Sequence, residues 1–182
     1  MTLVAAPIKI FTYFFLSSIF TCTLLLAEDP SSIESGFTPP KNWIQADASL
    51  LHSRVKIGFF SKTTDGFNPS INLTEEKTSL SPNDYLKAVQ KIHESNPKSR
   101  WRKLGTIQTL SGAAFLTAID IENPVGKIRI LQSLLIKEGV AYILTSSTLK
   151  EQCQKHQKEI LDAFKSLSLT KKPLVDLSEK NS

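Results

Sequence analysis

Between Arg100 and Thr145 four strand-like runs follow one another with little but turns between them, and this succession limits the fold more than any other feature of the chain. The first run, 100–109 (RWRKLGTIQT), turns at Ser111-Gly112 into 113–121 (AAFLTAIDI). Asn123-Pro124-Val125-Gly126 turns the chain again into 127–137 (KIRILQSLLIK), and Glu138-Gly139 makes a tight hairpin into 140–145 (VAYILT). Connections this short join neighbouring strands in antiparallel order. A parallel βαβ unit needs a crossover of about a dozen residues or more, so a doubly wound nucleotide-binding sheet does not suit this stretch.

The central runs are apolar on both sides. Ile128, Ile130, Leu134 and Ile136 share one face of their strand, while Leu131 and Leu135 stand on the other; Leu116 and Ala118 likewise oppose their strand's main apolar set. Strands of that kind are covered on both faces, which predicts a layered arrangement with a helix over each. One helix starts at Ser81-Pro82-Asn83-Asp84, with a capping serine, a proline at the first helical position and a capping-box carboxylate. Tyr85, Leu86, Val89 and Ile92 then recur at helical spacing until Pro97 prevents much further extension. A second helix is expected from a capping box at Thr148-x-x-Glu151, with Leu149, Cys153, His156, Ile160, Phe164 and Leu167 along its inner face. Upstream, 54–60 (RVKIGFF) alternates around Val55, Ile57 and Phe59, and Ile71 and Leu73 mark a further strand after a turn at 64–69. The expected order is β-β-α-β-β-β-β-α. This is an α+β fold, an α/β/α sandwich around a mainly antiparallel sheet of about six strands.

That order resembles the PsbP-like fold, an α/β/α sandwich shared by the photosystem II extrinsic protein, a Ran-binding nuclear import factor and many small bacterial envelope proteins. The residues that carry the resemblance are the entry Phe37-Thr38-Pro39-Pro40-Lys41-Asn42-Trp43, the strand ending Asn68-Pro69-Ser70-Ile71-Asn72-Leu73, and the helix Ser81–His93. The hairpin Leu131–Leu144 and the closing helix Cys153–Leu167, which ends in a Phe-x-x-Leu pattern, complete it. Together they span 37–169. The resemblance implies a protein that binds, scaffolds or chaperones other molecules without catalysing a reaction. It brings no catalytic residue and no cofactor, and it does not name a partner.

The N-terminus points to export. Residues 1–27 hold 19 hydrophobic residues and a single charge, Lys9, and 10–27 (IFTYFFLSSIFTCTLLLA) is uncharged before Glu28-Asp29-Pro30. A positive start, an apolar core and a small residue at a polar break describe a signal peptide cleaved after Ala27. Two other outcomes stay open. Residues 10–27 are just long enough to remain as a membrane anchor, and Cys22 is a candidate lipidation site, although Thr21 before it is not the small residue a lipobox prefers. Export points to a periplasmic or envelope-associated protein and makes nucleic acid an unsuitable partner. Residues 28–40 (EDPSSIESGFTPP) read as a linker or entry loop, 41–169 as one globular domain and 170–182 as a solvated tail. After Ala27 the chain keeps one cysteine, Cys153, so the core holds without an intramolecular disulfide.

Catalytic and metal motifs are missing from the sequence. There is no G-x-S-x-G, no glycine-rich phosphate loop, and His52, His93 and His156 lack metal-ligand spacing. Cys153 falls on the apolar face of the last helix and suits a core thiol. Asn72-Leu73-Thr74 matches a glycosylation sequon, a short pattern that arises often by chance. The most distinctive charged stretch is Lys98-Ser99-Arg100-Trp101-Arg102-Lys103. It suits a surface for lipid headgroups, acidic polymer or an acidic protein, with Trp101 as an anchor. The plainer reading is an edge strand whose cations discourage pairing while Trp101 faces the core. Trp43, beside Pro39-Pro40, either lines a binding cleft or plugs the end of the core. The sequence therefore predicts an exported, non-enzymatic binding or assembly factor acting on a protein or lipid in the cell envelope. The alternatives are a lipid carrier with an internal apolar cavity and an enzyme with an unrecognised site.

Overall fold

The computed structural model describes residues 33–63 and 67–171. In chain order the elements are β1 (Ile33–Gly36), β2 (Ile44–Gln45), β3 (Val55–Phe60), β4 (Ser70–Lys77), α1 (Pro82–Glu94), β5 (Ser99–Thr109), β6 (Gly112–Asn123), β7 (Gly126–Lys137), β8 (Val140–Leu149), α2 (Cys153–Lys165) and β9 (Ser168–Lys171). Seven strands form one antiparallel sheet in the order β2-β3-β4-β8-β7-β6-β5. The β5–β8 meander occupies one side of it, as the short turns require. The β7–β8 turn has both central residues at positive φ, Glu138 at 50° and Gly139 at 74°. That geometry matches the twist of the flanking strands.

Strand alternation sorts the core onto two faces. On one, Leu131, Leu135, Tyr142, Leu144, Ile71 and Leu73 pack against Ile160, Ala163 and Phe164 of α2. On the other, Leu134 and Ala141 pack against Tyr85 and Leu86 of α1, and Phe67 covers Ile119, Ile121, Ile128 and Ile130. The α/β/α layering follows directly from the two-sided apolar pattern. The Ser81 hydroxyl accepts the Asp84 amide at 3.2 Å and donates to the Asp84 carboxylate at 2.6 Å, so α1 begins where its cap specifies. Asn72 lies mid-strand in β4, paired to β3 and β8, with its Oδ1 buried, so the sequon there is closed to a bulky glycan.

Two expectations change. Thr148-x-x-Glu151 is not a capping box: Thr148 is buried in β8 opposite Arg129, and Leu149 ends that strand on the α1 face, opposite Ile128. The pull of the sheet register outweighs the local cap signal, and α2 starts only at Cys153, where the N-cap Gln152 makes no side-chain cap bond. The boundaries also move. Residues 33–36, expected within the entry loop 28–40, form β1, and Thr170-Lys171, expected in the tail 170–182, complete β9. β1 and β9 pair antiparallel as a separate two-stranded ribbon, with Ile33 opposite Lys171 and Gly36 opposite Ser168. The folded unit thus extends beyond 41–169 at both ends. The export segment 1–27 and Cys22 lie outside the described residues.

Candidate functional site

Asp120 in β6 and Arg129 in β7 stand directly opposite each other on the α2 face. Arg129 grips the carboxylate with both ends of its fork, Nε to Oδ1 at 2.7 Å and Nη2 to Oδ2 at 2.8 Å. This bidentate geometry is the strong form of the pair. Lys150 Nζ approaches Oδ2 at 3.1 Å and Arg102 Nη2 at 3.3 Å. Three cations therefore converge on one carboxylate that is only 14% exposed. The hydrogen bonds from Arg129, reinforced by Lys150, lower the Asp120 carboxyl from 3.8 to about 2, against the opposing effect of burial. Asp120 in turn holds the Arg129 guanidinium charged.

Beside this cluster a recess of about 150 Å³ opens between α2 and the β5–β6–β7 edge of the sheet. Leu116, Ala118 and Leu131 form its floor, and Arg102 and Arg129 its charged end. Cys153, Gln157 and Leu161, spaced i, i+4 and i+8, supply the α2 wall. Leu104 closes the outer side from a bulge in β5, where the register slips between Lys103 and Gly105 and Gly105 takes φ 133°. The bulge leaves Leu104 49% exposed at the rim. A smaller recess of about 40 Å³ lies under α1, between Tyr85, Leu86, Val89, Thr117 and Gln132.

The structure divides the basic stretch over both faces of an edge strand. β5 is the last strand of the sheet. Arg100 and Arg102 stand opposite Asp120 and Ala118 on the α2 face. Trp101 stands opposite Ile119 on the α1 face, where it packs between the Phe67 and Tyr85 clusters. Lys103 lies on that same face, its Nζ 4.6 Å from the centre of the Phe115 ring. Lys98 precedes the strand and is exposed. Trp43 leaves a turn in which its amide bonds Pro40 at 3.2 Å and Asn42 adopts φ 66°. It packs edge-on against His156 of α2, with ring centres 6.1 Å apart. The recess thus brings Arg102 together with Leu104, Arg129 and Gln157, and the ion cluster beside it adds Asp120 and Lys150; these five partners of Arg102 lie outside the basic stretch 98–103 or, like Leu104, just past its end.

Two other polar clusters, around Lys56 and around His156, have structural partners. Lys56 donates to Ser35 Oγ at 3.0 Å and pairs with Glu75 at 2.8 Å, and Ser35 donates to the same carboxylate. With the lysine already ion-paired and donating, it is not arranged to take the serine proton. Buried His156 pairs through Nδ1 with Glu159 at 2.5 Å. Among the described residues, no group of three or more His, Cys, Asp or Glu side chains is placed to hold a metal, and no helix is long and apolar enough to cross a membrane.

Neither a family model nor a curated protein sequence matches the chain. Solved structures do. LpqN of Mycobacterium tuberculosis, described as involved in cell envelope biogenesis, is similar at a TM-score of 0.58 and 14% identity, over 79% of this chain and 87% of LpqN. The cyanobacterial PsbP of Synechocystis is similar at 0.50 and 10% identity, over 81% of this chain and 98% of that protein. The fold is PsbP-like. At these identities the likeness shows the fold alone and leaves the recess under α2 to be read from this chain's own residues.

Proposed function

We propose that this chain is a non-catalytic binding or assembly factor of the cell envelope that engages a protein partner. The observation that carries the reading is the recess under α2, where an apolar floor ends at Arg102 and Arg129, two of the three cations that share the Asp120 carboxylate beside it. Such a site attracts an amphipathic, acidic group and has no nucleophile and base in hydrogen-bonded register. Arg102 lines it, and Arg100 adds an exposed cation on the same sheet face, opposite Asp120. Lys98 and Lys103 extend the positive charge to the strand's start and other face, and Trp101 and Trp43 support the two core layers. Export through 1–27 supports an envelope location, whether Ala27 is the cleavage point, 10–27 stays as an anchor or Cys22 is lipidated. The envelope role described for LpqN is consistent with it. Nucleic acid does not suit an exported chain.

The lipid-carrier alternative is weaker on volume. Recesses of about 150 and 40 Å³ fall below the roughly 300–1,000 Å³ of ordinary ligand pockets. For the enzyme alternative, Ser35, Lys56 and Glu75 line neither recess, and the Cys153 thiol, which lines the larger one, meets the Arg129 guanidinium and not a base. The test is crosslinking of a tagged chain in envelope preparations, followed by purification at graded salt and by lipid extraction of the same sample. The expected result is a discrete protein partner whose retention falls as salt rises, with no stoichiometric lipid. Bound lipid without a protein, or turnover of an envelope substrate by the purified chain, sinks the proposal.

A further inference from the structure

We infer that the recess under α2 is a peptide site, which takes one apolar side chain of about leucine size from an acidic segment of the partner protein. The inference rests on the proposed binding function and specifies its chemistry.

Size comes first. A cavity of about 150 Å³ matches a benzene-sized group. Its floor of Leu116, Ala118 and Leu131 is apolar, and the space exists because Ala118 is small where its neighbours are large. One branched or aromatic side chain fills it; a lipid acyl chain does not fit.

Charge selects the neighbours of that side chain. Arg102, Arg129 and Lys150 contribute three positive charges and Asp120 offsets one, so the cluster beside the recess keeps an excess of two, and its two arginines line the recess. Arg102, which lines the recess, also keeps a buried Nε–H with no acceptor among the described residues. Arg100, the cross-strand neighbour of Asp120, adds an exposed cation on the same face. A carboxylate next to the inserted side chain meets these groups. A basic or neutral segment leaves them unpaired, which is a penalty against the wrong partner. Leu104, held out by the β5 bulge, gives the segment an apolar rim to lie against.

The test pans displayed random peptides against the protein isolated from the envelope fraction of expressing cells. Selected peptides and phosphatidylglycerol vesicles are then titrated in parallel. The expected selection is Leu, Ile or Phe flanked by Asp or Glu. Changing that apolar residue to Ala, or Arg102→Gln in the protein, weakens binding about tenfold. Gln157→Trp, at an exposed position on the recess wall, covers the opening and abolishes binding while leaving the urea midpoint unchanged. Ala118→Val partly fills the floor and weakens binding without Gln157→Trp's added bulk at the rim. Peptides without the pattern, binding that survives Gln157→Trp, or a Gln157-dependent association with vesicles alone each overturn the inference. Capture of the envelope partner by the Gln157→Trp chain overturns the peptide site and leaves the wider function standing. Peptide binding as expected with no envelope partner supports the site and overturns the wider function.

Discussion

At the scale of residues, Asp120 organises more charge than any other described side chain. Its folded-state value of about 2 lies below the ordinary 3.8. Stability from its ionised form is therefore complete above the ordinary value and is lost as pH falls from there toward about 2. Asp120→Asn removes the charge and leaves Arg102, Arg129 and Lys150 facing one another, at an expected cost of about 2 kcal/mol near neutral pH. Urea titrations over a pH series check both claims. The gap between wild type and Asp120→Asn is constant above pH 5 and shrinks as pH falls toward 2; a gap that persists there would contradict the assignment. The pair was legible in principle. Asn123 pairs with Gly126 across the hairpin, so counting three residues outward on each strand places Asp120 opposite Arg129. Arg102 and Lys150 could not be added by counting, because the β5 bulge lies between Arg102 and the β5–β6 turn and Lys150 lies just past the end of β8.

At the scale of elements, the β5 bulge decides what the edge strand presents. Strict alternation over 100–109 assigns Leu104 to the face of Arg100 and Arg102 but gives no reason for its exposure, and it places Ile107 with Trp101. The slip between Lys103 and Gly105 instead puts Ile107 opposite Ala114 on the α2 face. It also brings Leu104 to the rim of the recess. A glycine within a strand pattern is the available hint. Gly105 sits at φ 133°, a conformation closed to L side chains, while an added Cβ would meet nothing within 4 Å. The cost of Gly105→Ala is then backbone strain alone, about 1–3 kcal/mol. The expected outcome is a lower urea midpoint together with weaker peptide binding, since Leu104 adjoins the residue and Arg102 precedes it by three positions. A midpoint equal to wild type would mean that the bulge is not constrained. The same contest between local and tertiary signals accounts for α2. Ser81 caps α1 because nothing else claims it, whereas β7 claims Thr148.

For the whole molecule, the meander and the two helical layers could be read from turn lengths and two-sided apolar runs, because those signals are local. The pairing of β4 with β8 and the β1–β9 ribbon join segments far apart in sequence, and the short strands Ile33–Gly36 and Ser168–Lys171 carry no periodicity long enough to announce them. The ribbon nevertheless closes the molecule. Ile33 and Leu169 pack on the α2-side core, and Ser35 is tied to Lys56 and Glu75. From the other end, the Leu169 amide bonds Ser111 Oγ at 2.7 Å, and Ser166 Oγ accepts the Thr38 amide at 2.8 Å. Removing residues 28–36 deletes one strand and leaves β9 without its partner. With both ribbon side chains half-buried, the expected loss is about 2–3 kcal/mol. The Lys56–Glu75 ion pair survives the deletion, so the main sheet should stay intact. Hydrogen exchange should then show lost protection at Ser168–Lys171, with β6, β7 and β8 protected as before. If the amides of 168–171 stay protected and the urea midpoint holds, the ribbon is an accessory to the fold. If protection is lost across β6–β8 as well, the N-terminal strand is required for the sheet that builds the recess, and binding should disappear with it.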